Sequence, residues 1–482
     1  MKAPMNRRQF IRLTAGMALG GAMMACAPKV VEKEVVKEST VVVKETVQVK
    51  ETVQTVATLA PGQKQPLLIH WRTTETEINF LKSIFAKFKE THPNVDIQET
   101  YTSWDQYDNK TDLLIAAGTP PCLWGPMAQR GGRYYASRNL FMVLDPFVEK
   151  DNYDFSDFYA GTLQLCKWQD HWVGLPMDIW PSFFVYNKTL FDQEKVPYPT
   201  QDWNDKTWDW DECINRAKAL TKKTGDQNSQ FGITDPGPDR MAFRHFGQSY
   251  FAKADFDKGY PEKFLNTPEF LDALKFMYSM IEPLGVAPTP AQTQAMQAGA
   301  PSLFMTGKLG MGLDFMWSFG TYKDIKDFQW DVAVVPYPKF GSRELERFNF
   351  MYPDQWFIMR GCLAPDAAWD LLKELASPEG LLGWGQATGA MPARKSVAEG
   401  DWVKGIKDQW KVSDAAMKVI FDGAGFQIAS ESHAFVAFEE LYTKGIQPPF
   451  EAVFVGKMAP EAAVKQMETD VNRIIAETNP KS

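Results

Sequence analysis

Residues 66–101, PLLIHWRTTETEINFLKSIFAKFKETHPNVDIQETY, carry the pattern that decides the fold. The run PLLIHW (66–71) is short and apolar, which is typical of a strand, and the apolar residues after it recur at helical spacing. HPN (92–94) ends the predicted helix, and VDIQETY (95–101) forms a second predicted strand. Strand and helix therefore alternate from the start of this stretch.

The same alternation continues along the chain. SWDQ (103–106) has capping-box spacing ahead of a helix that ends near Gly118, strands are predicted at 183–186 and 330–335, and 210–284 is helix-rich. This order predicts an α/β fold with largely parallel sheets, whose ligands bind at the carboxyl ends of the strands. Three loops follow such strand ends and are candidate ligand-binding loops, namely those beginning at Trp71, Ser103 and Trp124.

Length and composition narrow the class of protein. The 482 residues are 44% hydrophobic and 23% charged, with a formal net charge of −8, so we expect a globular protein without a basic surface for nucleic acid. More than 400 residues follow residue 65, whereas single cores stop growing near roughly 250–300 residues. We therefore expect two lobes.

The histidines and cysteines predict neither a metal site nor a cofactor. The five histidines are isolated, and no HExxH or CxxC pattern occurs, so zinc hydrolase chemistry is disfavoured. Cysteines at this density do not form a disulfide framework. We expect the four that follow the N-terminal segment to be buried free thiols: Cys122, Cys166, Cys213 and Cys362.

The first 25 residues predict an export signal. NRRQFIR (6–12) resembles the twin-arginine signal and is followed by an apolar segment. The alternative is a transmembrane anchor, but this segment is shorter than the roughly 20 residues that span a bilayer. MMAC (23–26) resembles a lipobox, in which Cys26 receives a diacylglyceryl group. This predicts an exported protein anchored to the outer face of the cytoplasmic membrane, facing a periplasm or the cell exterior.

Residues 26–65 predict a tether behind the lipidated cysteine. After Cys26 the segment is rich in Val, Lys, Glu, Thr and Gln and lacks aromatic residues, and VKETVQ occurs twice, at 43–48 and 49–54. Such a composition offers few large side chains to offset ordering entropy, which favours a disordered linker. A short coiled coil is the alternative, although the valines fit no clean heptad.

Eight stretches after the tether occur in the order known from one family. They are IFAKFKETHPNVDI, SWDQYDNKTDLLIAAGTPP, GLPMD with FFVYNKTLFDQ, TWDWDECINRAKALT, FMTGKLGMGLDFMWSF, WDVAVVPYP, APDAAWDLLKELASPEG and TGAMPARKS. On these, the chain from Leu67 to Thr478 resembles the family 1 extracellular solute-binding proteins of ABC transporters, the maltose-binding-protein class. It departs from them after GTPP, where Cys122-Leu123 replaces the usual Asp-Val.

The resemblance implies a two-lobe periplasmic-binding-protein fold of type II at 66–482. Each lobe would be a mostly parallel sheet flanked by helices, lobe 1 from about 66–182 plus 350–400 and lobe 2 from about 183–349 plus 401–482, with hinges near 182–186 and 338–349. The implied function is capture of a carbohydrate, mono- or oligosaccharide, and its delivery to an ABC permease whose ATPase is a separate subunit. The chain itself lacks GxxxxGK[ST]. A monomer without enzymatic activity is implied.

The resemblance also implies a sugar site in the cleft between the lobes. A sugar needs flat aromatic surfaces and a few fixed polar groups. The implied substrate-binding residues are Trp71, Arg72, Thr73, Glu75, Met127, Gln129, Asp178, Trp180, Asp314, Trp317, Tyr352, Asp354, Gln355 and Trp356.

Several of these residues have other interpretations. Trp180 and Trp317 could equally pack in a core, and Arg72 and Arg130 fit a solvated rim better than an anion site. Asp178 with Asp314 could form the carboxylate pair of a surface-anchored polysaccharide-degrading enzyme, which is the alternative function. The same fold could also bind a polyol phosphate, a polyamine or a peptide. Core roles are predicted for Trp208, Trp210 and Trp369, with Asp209 and Glu212 at capping-box spacing.

Overall fold

The computed structural model describes most of the chain after residue 63. The described residues are 64–72, 74–125, 130–225, 227–234, 246, 249–297, 299–410, 412–423, 427–428 and 431–479. The predicted export signal, lipidation site and tether lie outside these residues. So do three of the predicted site residues, Thr73, Met127 and Gln129.

The strands are named in chain order. The first six are β1 (Gln65–Arg72), β2 (Val95–Thr102), β3 (Leu123–Trp124), β4 (Lys167–Trp168), β5 (His171–Trp172) and β6 (Gly174–Asn187). The next six are β7 (Lys222–Thr224), β8 (Gln227–Ile233), β9 (Leu309–Phe315), β10 (Trp330–Ala333), β11 (Lys339–Phe340) and β12 (Arg343–Glu344). The last are β13 (Asn349–Ile358), β14 (Met391–Pro392) and β15 (Gln427–Ile428).

The helices surround these strands. Those before residue 230 are α1 (Glu75–Thr91), α2 (Tyr107–Ala116), α3 (Gly131–Ser137), α4 (Asp145–Asp151), α5 (Ala160–Leu163), α6 (Lys188–Glu194) and α7 (Trp210–Leu220). Those between 250 and 390 are α8 (Asp255–Lys258), α9 (Pro268–Ser279), α10 (Pro290–Gln297), α11 (Phe319–Tyr322), α12 (Pro365–Leu375) and α13 (Pro378–Thr388). The remaining ones are α14 (Lys395–Val397), α15 (Val403–Trp410), α16 (Asp414–Asp422), α17 (Glu431–Ala434), α18 (Phe438–Glu440), α19 (Gln447–Phe454) and α20 (Pro460–Thr478).

The N-terminal stretch folds as its pattern predicts. Strand β1 pairs in parallel with β2 along its full length and with β3 at Ile69. Helix α1 connects β1 to β2 and turns Leu81, Phe85 and Phe88 inward, the apolar positions that recur at helical spacing. The predicted alternation of strand and helix is confirmed here.

Two long strands connect this parallel unit to the rest of the sheet. The strand order is β2-β1-β3-β13-β6-β9-β8-β7, with β10 and β14 also paired to β6 and β15 to β13. Parallel pairing holds in β2-β1-β3 and between β8 and β9. In contrast, β6 and β13 run antiparallel to each other and to their other neighbours in this order. The predicted α/β class is confirmed, and the antiparallel crossing strands are an addition that the pattern did not indicate.

The side chains form two large hydrophobic cores, as the length of the chain predicts. The first core, which includes Leu67, Leu81 and Trp369, draws on the chain before Ile179 and on residues 356–393. The second core, which includes Phe184 and Trp208, draws on residues 179–340 and on the chain from 391 onward. Trp180 packs against both cores. Along the chain, the main segment of the second core therefore lies between the two segments that form the first core.

The two predicted hinge segments contact each other. Residues 182–186 belong to β6, and Asn349 begins β13. The Ser182 hydroxyl donates a hydrogen bond of 2.7 Å to Oδ1 of Asn349, and both side chains are buried. Whether the lobes hinge there stays a prediction.

The prediction of four free cysteines is wrong for two of them. Cys122, just before β3, and Cys362, just after β13, form a disulfide across 240 residues of sequence. The spacing of cysteines along the chain could not reveal this pair, because β3 and β13 become neighbours only in the folded sheet. Cys166 and Cys213 are buried free thiols, as predicted.

Other local predictions have mixed outcomes. The helix-rich stretch contains α7, α8 and α9 but also the β7–β8 hairpin, which was not predicted. The predicted helix cap is present, since Asp209 accepts a hydrogen bond of 2.9 Å from the backbone N–H of Glu212. Trp208, Trp210 and Trp369 are buried, as predicted. Within the described residues, none of the helices has the length and apolar character needed to cross a membrane.

Candidate functional site

Three tryptophans near the carboxyl end of β1 form the inner aromatic cluster, which consists of Trp71, Trp356 and Trp384. Trp71 stacks on Trp356 at 4.3 Å between ring centroids and meets Trp384 edge-on at 5.9 Å. Trp71 is 0% exposed and Trp356 is 1% exposed. These rings offer no face to a ligand in this structure, because they cover one another.

A second group of rings, the outer aromatic cluster, consists of Trp180, Trp317, Tyr352 and Phe315. Trp317 lies 6.2 Å from Trp180 and 6.0 Å from Tyr352, and it stacks on Phe315 at 4.3 Å. Trp317 is 43% exposed, and Trp180 lies where the two cores meet. This cluster therefore presents an aromatic face to solvent next to the junction of the cores.

A pair of carboxylates, Asp178 and Asp354, joins the two clusters. The residues lie opposite each other on the antiparallel strands β6 and β13. Asp178 accepts a hydrogen bond of 2.6 Å from Nε1 of Trp384 in the inner cluster. Asp354 accepts one of 3.3 Å from Nε1 of Trp180 in the outer cluster. The acid pair is thus fixed by one tryptophan N–H on each side.

The acid pair is almost sealed from water. Asp178 is 0% exposed and Asp354 is 8% exposed. Burial, and then the neighbouring carboxylate of Asp354, raise the pKa of Asp178 well above its usual range. Among the described residues, Oδ1 of Asp178 has no hydrogen-bond partner. A buried polar atom without a hydrogen-bond partner is costly.

Beside the acid pair, Arg72 is held at the end of β1 by a carboxylate. Glu77 accepts hydrogen bonds from Arg72 Nη2 at 2.9 Å and Nε at 3.2 Å, and a third of 2.9 Å from Nε1 of Trp71. The Arg72 guanidinium also lies 5.1 Å from the ring centre of Trp104. Arg72, expected on a solvated rim, is instead largely buried in an ion pair.

Asp314 has a local structural role in this structure. It lies near the end of β9 and accepts hydrogen bonds from the Ser318 hydroxyl at 2.6 Å, from the Phe315 backbone N–H at 2.7 Å and from the Tyr322 hydroxyl. Burial raises the pKa of Asp314. Its carboxylate orders the turn that carries Trp317.

The structure separates the two acids that would form a glycosidase pair. Asp314 lies opposite Phe183 on β6. Asp178 is on the same strand, five residues from Phe183, a distance of about 16 Å at the usual rise of an extended strand. Among the residues described, no group of three or more potential ligands is placed to hold a metal ion.

The remaining predicted residues lie apart from the outer cluster or outside the described residues. Gln355 is buried, and its amide donates to the Pro353 carbonyl at 2.7 Å, within its own strand. Glu75 is exposed in the first turn of α1. Arg130 forms ion pairs with Asp112 and Glu439. The structure therefore brings together Asp178, Trp180, Trp317, Tyr352 and Asp354.

Sequence reasoning missed three residues of this region. Trp384 donates a hydrogen bond to Asp178, and Phe315 stacks on Trp317. The third is Trp104. All sixteen tryptophans are among the described residues, and Trp104 and Trp317 are the two that are at least 43% exposed. Trp104 lies in a loop that the sequence had already identified as a candidate. In contrast, nothing in the sequence near Trp384, in α13, indicates that it bonds to Asp178. A tryptophan directly after a predicted strand is the sequence signal that could have identified Trp104.

These features define a class of protein. Two cores of an α/β fold are joined by crossing strands, and an exposed aromatic face with buried carboxylates lies at their junction, as in the two-lobe solute-binding proteins. The sequence matches the family described as bacterial extracellular solute-binding protein over residues 83–418. The chain belongs to this family, and the family resemblance seen in the sequence is confirmed.

Known structures share the fold. An ABC substrate-binding protein from Listeria monocytogenes, in complex with cycloalternan, matches with a TM-score of 0.69 and 19% identity, over 86% of this chain and 100% of that chain. A solute-binding protein from Thermotoga lettingae bound with alpha-D-tagatose matches with a TM-score of 0.65 and 18% identity, over 86% and 100%. The maltose/maltodextrin-binding domain of Bdellovibrio bacteriovorus bound to maltotriose matches with 0.64 and 18%, over 85% and 100%.

Proposed function

We propose that this protein is the substrate-binding lipoprotein of an ABC import system and captures a carbohydrate at the outer aromatic cluster. The observation that carries the proposal is the exposed ring of Trp317, set against Trp180 and Tyr352 beside Asp354. Flat rings pack against the C–H faces of a sugar, and nearby carboxylates accept bonds from its hydroxyl groups. The sugars bound by the proteins of similar fold support this class of ligand.

Each residue of the site has a proposed role. Trp317 and Trp180 are the stacking surfaces, and Tyr352 borders them. Asp354 accepts hydroxyl donors directly, since it has the greater exposure of the two acids. Asp178 stands behind it and links the site to the inner cluster through its hydrogen bond from Trp384. Trp71 and Trp356 belong to the first core and support the site from there.

The site would close by movement of two lobes. We assign lobe 1 to about 66–182 plus 350–400 and lobe 2 to about 183–349 plus 401–482. The separation of the two cores supports this division for most of the chain, although Met391, Val397 and Ala398 pack in the second core. Polar contacts bridge these parts, including Arg130 Nε to Glu439 at 3.1 Å and Gln164 Nε2 to Asp257 at 2.6 Å. A ligand favours the closed form only through its differential affinity for that form.

Export and anchoring follow from the N-terminal sequence. NRRQFIR and the lipobox-like MMAC support transport of the folded chain and lipidation of Cys26. The lipid would hold the protein at the outer face of the cytoplasmic membrane, and residues 26–65 would let it reach the permease. We propose that it acts there as a monomer and hydrolyses neither ATP nor its cargo.

A ligand screen tests the proposal. The purified full chain is heated with mono-, di- and oligosaccharides, amino acids, polyamines and glycerol phosphates, and hits are measured by calorimetry. A true ligand at a hundredfold excess over its Kd stabilises by about 2.7 kcal/mol, which a melting curve detects. We expect a saccharide hit that is recovered chemically intact.

Two controls make the screen decisive. Trp317→Ala should reduce the saccharide shift to about half or less, whereas Tyr198→Ala, which removes an exposed aromatic residue elsewhere on the surface, should keep it. Conversion of the saccharide to products would support the degrading enzyme instead. Stabilisation by no saccharide would refute carbohydrate binding.

A further inference from the structure

Trp104 and Trp317 are both exposed, and the site proposed above uses only Trp317. Each of the two rings is 43% exposed, and each residue stands two positions after the last residue of a strand. Trp317 follows β9, whose apolar residues pack in the second core, whereas Trp104 follows β2, whose apolar residues pack in the first. Each core therefore carries one exposed tryptophan at the carboxyl end of one of its strands.

The ring of Trp104, like that of Trp317, is supported by a neighbouring side chain. The Arg72 guanidinium lies over the Trp104 ring, 5.1 Å from its centre, and Glu77 accepts two hydrogen bonds from that guanidinium. Phe315 stacks on Trp317 at 4.3 Å. A ring that is already held in position loses little conformational entropy when a ligand stacks on it. Both tryptophans are therefore suited to binding.

The strand register brings the carboxyl ends of β1 and β2 to the level of the acid pair. Ile69 of β1 is paired with Leu123 of β3, which in turn lies opposite Ile358 of β13. Because β13 runs antiparallel to β1 and β3, Arg72, three residues beyond Ile69, is level with Gln355 on β13. Gln355 is the next residue after the acid of β13. The support of Trp104 is thus at the same height in the sheet as the acid pair.

Strand β9 reaches the same region from the second core. Its last residue, Phe315, lies opposite Ser182 on β6. Asp178 is on the same strand, four residues before Ser182, which is about 13 Å at the usual rise of an extended strand. The carboxyl ends of β2 and β9 therefore approach the junction of the cores from opposite sides.

The two exposed rings are too far apart for a small sugar. Five strand-to-strand spacings separate β2 from β9 in the order β2-β1-β3-β13-β6-β9. At the usual spacing between strands, this is about 24 Å across the sheet. A disaccharide is shorter than this distance, so a saccharide that contacts both rings needs at least three residues.

From these two rings we infer that Trp104 is a second sugar-stacking surface and that the cargo is an oligosaccharide of at least three residues. One residue of the cargo stacks on Trp317 and another on Trp104, and the strands of the acid pair lie between them in the sheet. A ligand that contacts both cores favours the form in which the lobes are close together. This inference rests on the proposed function, because it adds a subsite to the proposed carbohydrate site.

Saccharides of increasing length test the inference. Calorimetry on the full chain measures the Kd of glucose with its malto- and cello-oligomers, and of mannose and xylose with their β-1,4-linked oligomers, each from one to six residues. In the series that binds, we expect the affinity to rise about tenfold or more between the disaccharide and the longer members, because these add a second aromatic contact.

Variants assign this gain to Trp104. Trp104→Ala should weaken the binding of the longer members about tenfold and that of the monosaccharide less than about twofold, whereas Trp317→Ala should weaken the binding of every length. Trp104→Phe keeps a flat ring and should retain most of the gain. Leu113→Ala removes an exposed apolar side chain from α2, the helix after Trp104, and should change no Kd in the series. Melting curves without ligand report whether each variant folds.

The inference and the proposed function fail separately. If a saccharide binds but its affinity does not rise beyond the disaccharide, the inference is overturned and the proposed function stands. The same holds if Trp104→Ala weakens the binding of all lengths equally, or of none, in a folded variant. If no saccharide of any length binds to the parent chain, the proposed function is wrong and the inference fails with it.

Discussion

The inner and outer aromatic clusters use the same residue types, yet their rings face different surroundings. In the inner cluster Trp71, Trp356 and Trp384 cover one another and are removed from water. In the outer cluster Trp317 stacks on Phe315 and is still 43% exposed. The acid pair bonds to one tryptophan of each. A tryptophan can therefore stabilise the fold or offer a surface to a ligand, according to which of its faces the fold leaves uncovered.

The largest expected effect is a loss of stability when the inner cluster is broken. Trp71→Ala removes a fully buried ring, and such truncations cost about 3–5 kcal/mol of the free energy of unfolding. Chemical denaturation measures it, while the Kd for sugar of the folded fraction should stay the same. A stability loss below about 1 kcal/mol would show that the neighbouring rings collapse into the space, or that Trp71 is not packed as described.

Two buried groups, His70 and Asp178, should make opposite contributions to the pH dependence of stability. Burial, and then the charge of Lys110, lower the pKa of His70 to about 4. Below the ordinary pKa of 6.5 the unfolded chain binds a proton that the folded chain refuses, so stability falls as the pH drops from about 6.5 to about 4, by up to about 3 kcal/mol. The raised pKa of Asp178 works in reverse, and its cost grows as the pH rises above the usual range of an aspartate.

Denaturation curves of His70→Gln and Asp178→Asn between pH 4.5 and pH 8 separate the two contributions. His70→Gln should flatten the acid side of the stability profile. Asp178→Asn should raise stability relative to the parent chain at pH 8 more than at pH 4.5. Parallel profiles for all three proteins would contradict the burial assigned to these groups.

A smaller effect tests the outer cluster. Trp317→Ala should weaken sugar binding about tenfold or more, which is at least about 1.4 kcal/mol, because a central aromatic contact carries a large share of binding energy. Its free energy of unfolding should change by less than about 1 kcal/mol, since nearly half of the ring is exposed. A loss of stability as large as that of Trp71→Ala would erase the distinction between the clusters.

The smallest expected effect is on the Kd for sugar, and it distinguishes the role of the Trp180 ring from the role of its N–H group. Trp180→Phe keeps an aromatic face but removes the donor to Asp354. Because that bond is long at 3.3 Å, we expect a change of Kd of about two- to tenfold, measured by calorimetry. An unchanged Kd would mean that the N–H does not position the carboxylate.

The sequence predicted what depends on local pattern. The apolar run at β1, the spacing of Leu81, Phe85 and Phe88, and the cap at Asp209 are short-range features, and each formed as expected. Their physical cause lies within a few residues, so a single chain reveals it.

What the sequence could not predict depends on residues that are distant along the chain. The disulfide of Cys122 and Cys362 exists because β3 pairs with β13, and the bond from Trp384 to Asp178 exists because α13 packs beside β6. Trp71 resembled a ligand-binding residue by its place after a strand, and only its stacking on Trp356 reveals the burial. Family resemblance supplied the positions of Trp180 and Trp317 but not which rings face solvent.

The disulfide closes a loop that contains the second-core stretch from Ile179 to Phe340. A single proteolytic cut anywhere between Cys122 and Cys362 therefore leaves two fragments that stay covalently joined. On a gel the nicked chain migrates as one band without reductant and as two with it, whereas a cut in the stretch after Cys362 releases a fragment under both conditions.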